Sequence, residues 1–235
     1  MKFPKLGLLL AVGSMAFIAV PRASATAELI LSDGIAADTV TIAATSCGGT
    51  CTTATFNGAI GSWNINVTTG TADPGSAPIM DLNSIDHHNA TGTGSSGNTL
   101  TIEWTANGFP PFAPPGFAQN VGGTVGANGT VTFGLFGGNS NTLLDMSQQI
   151  GTTMSFTNPP TAFSGSESAF LASLNNPYSL TEVATITFGT NAGQASFDYS
   201  IDTVPEPAGV LLLGSAILLT VSLVRRKMGA EAKRS

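Results

Sequence analysis

Apolar and polar residues alternate with a period of two along several stretches of this 235-residue chain. Trp63, Ile65 and Val67 alternate with Asn64 and Asn66, and Leu100, Ile102 and Trp104 with Thr101 and Glu103. Val131, Phe133 and Leu135 alternate with Thr132 and Gly134, and Phe197, Tyr199 and Ile201 with Asp198 and Ser200. Each stretch predicts a strand with one buried face. Further strands are expected at 28–32, 39–44, 152–157 and 180–188, between turn-formers such as Ala127-Asn128-Gly129 and Gly137-Gly138-Asn139. Many short strands with Gly and Asn turns favour an all-β fold, an antiparallel β-sandwich or jelly roll. One short surface helix is expected at 165–174, with Phe170, Leu171 and Leu174 on one side. No internal repeat is visible, which opposes a long β-solenoid. The Thr-rich strands show no regular Thr-x-Thr ladder.

Two segments break the pattern. Residues 108–116 hold four prolines and predict an extended loop, either laid across one end of the sandwich or presenting Phe109, Phe112 and Phe117 to a ligand. Residues 89–98, mostly Gly, Ser and Thr, predict a mobile loop.

The chain ends follow a different logic. Lys2 and Lys5, an apolar run over 6–20 and the small-x-small triplet Ala23-Ser24-Ala25 have the order of a secretory signal peptide, cleaved after Ala25, with Ala27 of Ala25-Thr26-Ala27 as the alternative. At the other end, residues 208–224 carry no charge and as a helix would span roughly 25 Å, enough for a thin bilayer core. Pro205 and Pro207 suit the extended entry to such a helix. Arg225, Arg226 and Lys227 then hold the C-terminus in the cytoplasm by the positive-inside rule.

Val204-Pro205-Glu206-Pro207, a short hydrophobic helix and the Arg225-Arg226 pair together resemble the PEP-CTERM sorting signal of Gram-negative bacteria, a segment also catalogued as an ice-binding-protein C-terminal domain. The resemblance covers about residues 204–227. It implies export, an inner-membrane-anchored precursor, and handling by an exosortase associated with exopolysaccharide, ending at the cell surface or outside. The expected division is a signal peptide at 1–25, an exported β domain at 26–203, a sorting signal at 204–228 and a cytoplasmic tail at 229–235.

Charge narrows the function of the exported part. Residues 26–203 contain twelve carboxylates and no Lys or Arg, a formal charge of −12 against −6 for the whole chain. Nucleic-acid binding, Arg clamps, Schiff-base lysines and Lys-bearing phosphate loops all need the missing cations. No cofactor is indicated. Cys47 and Cys51 enclose Gly48, Gly49 and Thr50, and in an oxidising compartment this spacing favours a local disulfide over a redox or metal pair.

The remaining candidates are weaker. Asp81, Asp86 and His88, with His87, offer oxygen and nitrogen donors for a metal, but the stretch misses the calcium-loop spacing and adjacent strand residues point opposite ways. A solvated polar loop is the better reading. Glu103 and Glu182 form the one tempting glycosidase-like carboxylate pair, although Glu103 falls on the polar face of its strand. Trp63, Trp104 and Tyr178 could stack on sugars, yet alternation puts both tryptophans inside. Three glycosylation sequons, at Asn66, Asn89 and Asn128, are unsurprising in an Asn- and Thr-rich chain. The expectation is a non-enzymatic exported surface or matrix protein, with a secreted carbohydrate-binding module or hydrolase as the alternative.

Overall fold

The computed structural model describes residues 26–74, 79–89, 98–110, 116–159, 161–170, 174, 177–204, 215, 218 and 220. The signal peptide with Ala23 and Ala25, the motif residues Pro205, Glu206, Pro207, Arg225 and Arg226, Phe112, and most of the 89–98 loop lie outside them. So does the expected spanning helix, apart from three isolated residues. Among the described residues no helix is long and apolar enough to cross a membrane.

In chain order the strands are β1 (Ala27–Ser32), β2 (Val40–Ala43), β3 (Thr45–Gly48), β4 (Cys51–Ile60), β5 (Trp63–Ala72), β6 (Met80–His88) and β7 (Thr99–Phe109). They continue with β8 (Gly116–Val125), β9 (Thr130–Gly138), β10 (Gln148–Thr157), β11 (Ala162–Phe170), β12 (Tyr178–Thr187) and β13 (Gly193–Val204). A single 3₁₀ turn, Ala36–Asp38, interrupts the β1–β2 connection. A six-stranded sheet runs β10-β9-β12-β7-β1-β2 and a seven-stranded sheet runs β11-β8-β13-β6-β5-β4-β3, with antiparallel pairing throughout.

The alternating side chains explain why the sheets stack. Leu100, Ile102 and Trp104 of β7, Val131, Phe133 and Leu135 of β9, and Phe197, Tyr199 and Ile201 of β13 are all buried on the faces that meet. The Phe133 ring lies 5.2 Å from Phe197 and 5.3 Å from Tyr199, across the two sheets. Trp104 spans the core completely, its Nε1 donating to the Thr71 carbonyl of the opposite sheet at 3.0 Å. That reach requires Gly70, because a Cβ there would sit 2.3 Å from the Trp104 ring.

Several expectations are corrected. Residues 165–170 of the expected helix are strand, and 171–173 lie outside the described residues: β11 pairs in continuous register with β8, and its small Ser, Gly and Ala residues pack on an edge strand where Phe170 points to solvent. The polar stretch around Asp81–His88 is not a solvated loop but β6, an interior strand of the larger sheet, paired with β5 and β13. Its inward face carries Ser84, Asp86 and His88, which hides the expected apolar alternation. A bulge between Ile65 and Val67 shifts β5 so that Thr68, Gly70 and Ala72 turn inward. Phe109 and Phe117, offered as loop residues for a ligand, end β7 and begin β8 and are buried beside Tyr178.

Candidate functional site

Each sequence candidate has a definite place. Cys47 and Cys51 are joined by a disulfide, with Cα atoms 5.2 Å apart, and clip the β3–β4 turn at the sheet edge. Trp63, Trp104 and Tyr178 are core residues with at most 1 % of their surface exposed, so no sugar can stack on them in this fold. Glu103 and Glu182 belong to neighbouring strands, but the register sets Glu182 opposite Trp104 and Val183 opposite Glu103. The two carboxylates therefore point to opposite faces of the sheet and share no cleft.

Asp81, Asp86 and His88 are divided in the same way. Asp81 faces outward on β6, while Asp86 and His88 face the core. Among the described residues no group of three or more His, Cys, Asp or Glu converges as a metal site. His88 instead packs its ring 4.6 Å from Trp63, and its Nδ1 lies 2.6 Å from the Asn191 carbonyl. Burial lifts the Asp86 carboxyl to about 7; the Ser84 hydroxyl, two residues back on the same face, opposes the rise but closes no well-formed hydrogen bond. Glu182 is wholly buried with neither oxygen bonded, and desolvation, then the charges of Asp81 and Asp198, hold its carboxyl well above the usual range. Burial thus holds both acids neutral in the core at mid-acidic pH.

The outer faces carry the accessible chemistry. On the larger sheet Asp81 and Asp198 sit diagonally across β6 and β13, and burial followed by the Asp198 hydrogen bond and charge raises Asp81 to about 6. On the smaller sheet the strand register lines up residues that are scattered in sequence. Ser155, Thr132, Thr185, Thr101 and Ser32 form one row across β10, β9, β12, β7 and β1. Thr157, Thr130, Thr187 and Thr99 form a second row beside it.

Each of the four long strands supplies its pair as a hydroxyl-x-hydroxyl triplet whose middle residue, Leu100, Val131, Phe156 or Ile186, faces the core. Strand spacing sets neighbours along a row about 4.8 Å apart, and the pleat sets the rows about 7 Å apart. Thr99 and Thr187 hydroxyls lie 3.0 Å apart, as do those of Thr130 and Thr157, and Thr39 extends the first row by a 3.0 Å bond to Ser32. A regular Thr ladder is thus present, contrary to the expectation from sequence. At the other end of the same face the 139–147 segment folds over the sheet, and Leu144 N donates to the Thr105 hydroxyl at 2.9 Å. There Thr105 and Thr181 are fully buried, whereas the ladder residues remain half-exposed or exposed.

No family model matches the chain, and no curated protein matches it. Among solved structures it is similar to a CBM28 carbohydrate-binding module specific for non-crystalline cellulose, at 6% identity and a TM-score of 0.35, over 64% of this chain and 85% of that one. It is also similar to the CBM22-1 xylan-binding domain of Paenibacillus barcinonensis Xyn10C, at 8% identity, TM-score 0.30, and 62% and 87% coverage. A third is a CBM61 module in complex with β-1,4-galactotriose, at 6% identity, TM-score 0.29, and 66% and 88% coverage.

Proposed function

We propose that this chain is an exported, non-catalytic surface or matrix protein whose β-sandwich is held in an exopolysaccharide layer through the hydroxyl ladder. The signal-peptide pattern and the tail resembling a PEP-CTERM signal supply delivery: insertion in the inner membrane, handling by an exosortase, and release to the cell surface or beyond. The observation that supports the adhesive role is the pair of aligned Ser and Thr rows on the smaller sheet.

The chemistry follows from the side chains. Every ladder residue is neutral and carries one donor and two acceptor positions, a match for the hydroxyls of a neutral sugar chain. Exchange with water leaves only about 0.5–1.5 kcal/mol per hydrogen bond, so a single contact is weak. A repeating polymer laid along two rows makes many such contacts at once, and retention comes from their number. The ladder rows themselves hold no ionisable side chain on a domain of formal charge −12, so contact with a neutral polymer there buries no charge in either row.

The test is co-sedimentation of the purified protein with exopolysaccharide from its own cells. Replacing Thr132 and Thr185 together by Val keeps shape and β-propensity but removes two central hydroxyls. Binding should weaken at least tenfold while the thermal midpoint stays within a few degrees. Unchanged binding in that variant, or binding abolished instead by Asp81→Asn and Asp198→Asn on the opposite sheet, overturns the assignment.

A further inference from the structure

Asp33 follows β1 directly and is 3% exposed. Its Oδ1 accepts the Ile35 backbone N–H at 3.0 Å, but its Oδ2 has no hydrogen-bond partner. The 33–39 connection then makes the 3₁₀ turn, closed by Asp38 N donating to the Ile35 carbonyl at 2.9 Å, and this carries the Asp38 carboxylate back toward Asp33.

Both carboxylates converge on the β4–β5 turn. A Cβ built on Gly61 would lie 2.1 Å from Asp33 Oδ2 and 3.5 Å from Asp38 Oδ2. Gly61 also has a φ of +52°, so glycine suits this position twice over: it adopts the left-handed backbone and lets the Asp33 carboxylate come against the turn, where a side chain would collide with it. A cation held between two such carboxylates would offset their mutual repulsion and the lost hydration of the buried one. No Lys or Arg exists between residues 26 and 203 to supply it. Of the two histidines, His88 is buried against Trp63 and bonded to Asn191, and His87 faces outward on β6.

We infer that Asp33 Oδ2 and Asp38 form a site for a hard divalent cation, calcium by preference, that ties the β1–β2 connection to the β4–β5 turn. The side-chain atoms that converge there, Asp33 Oδ2 and Asp38 Oδ2, are both oxygens. An all-oxygen donor set in irregular loops suits calcium, which accepts variable geometry and carbonyl or water ligands, better than magnesium or a transition metal. Extracellular modules commonly bind calcium with dissociation constants of about 10⁻⁴–10⁻³ M, which is enough outside the cell. The cation would join an edge hairpin of the smaller sheet to a hairpin of the larger one, at a place where the sandwich has no disulfide.

The experiment is thermal unfolding of the purified full-length protein against calcium concentration, at constant ionic strength maintained with sodium. Wild type should show a saturable rise in midpoint on the order of 5 °C, because ligand bound only by the folded state stabilises it. Asp33→Asn should abolish the rise while leaving the calcium-free midpoint at least as high as wild type. Asp38→Asn, at a half-buried position, provides an independent variant if Asp33→Asn misfolds and should weaken apparent affinity at least tenfold. Asp198→Asn, on the far side of the larger sheet, should keep the whole response. A rise that persists equally in both Asp33→Asn and Asp38→Asn, or that sodium alone reproduces, would mean general screening of an acidic surface and overturns the site.

Discussion

Replacing Asp86 by Asn should change how stability depends on pH more than it changes stability itself. The side chain is fully buried on the inward face of β6, and burial moves its carboxyl from 3.8 to about 7. Because folding raises the midpoint, the folded protein holds this proton more tightly than the unfolded chain does. The stabilisation is complete below pH 3.8 and is lost as pH climbs through 7. A displacement of that size corresponds to about 4 kcal/mol between pH 4 and pH 8, a large share of the 5–15 kcal/mol typical of a folded domain. Asn has nearly the same shape and never ionises. Urea unfolding at pH 4, 6 and 8 should show wild type losing stability as pH rises, and the Asp86→Asn variant losing about 4 kcal/mol less over that interval. The two proteins should agree within about 1 kcal/mol at pH 4. If the variant retains the full decline, Asp86 is not the buried acid responsible and its environment has been misjudged.

Other substitutions test separate parts of the fold. Gly70→Ala places a methyl 2.3 Å from the Trp104 ring and should cost about 1–3 kcal/mol as that ring and its bond to Thr71 shift, read as a lower urea midpoint and altered tryptophan fluorescence. Glu182→Gln should stabilise the protein at pH 8, since burial and the Asp81 and Asp198 charges oppose ionisation there, and should have little effect at pH 4. A loss of stability at pH 8 would contradict that environment. Replacing both Cys47 and Cys51 by Ser should cost no more than about 2 kcal/mol, because the closed loop is so short and lies at a sheet edge. Unfolding at ambient temperature would show that the clip organises more than its own turn.

The strands that sequence reveals are those whose inward residues are large and apolar. In β7, β9 and β13 alternation marks both the strand and its buried face, and the structure agrees with it. β6 escapes notice because Ser84, Asp86 and His88 point inward, so polar residues occupy both faces. β8 and β11 escape because Gly, Ala and Ser give no contrast, and the apolar pair Phe170 and Leu174 at helical spacing imitates a helix. For the ladder, every triplet is visible in the sequence, from Thr99-Leu100-Thr101 to Thr185-Ile186-Thr187. Their meaning depends on long-range register, since Thr132 becomes the neighbour of both Ser155 and Thr185 only when β9 pairs with β10 and β12. The same dependence separates Glu103 from Glu182, since the register of adjacent strands sends the two carboxylates to opposite faces of the sheet. The Asp33–Asp38 convergence needs in addition the β4–β5 turn, far away in sequence, to supply Gly61.

The most direct test of the adhesive role is amide hydrogen exchange on the full-length protein with and without its native exopolysaccharide. The account predicts added protection confined to the ladder strands, at residues 99–101, 130–132, 155–157 and 185–187, with the 53–55 and 81–83 segments of the opposite sheet unchanged. Protection on the opposite sheet alone, or none anywhere at polymer concentrations that sediment the protein, would contradict it.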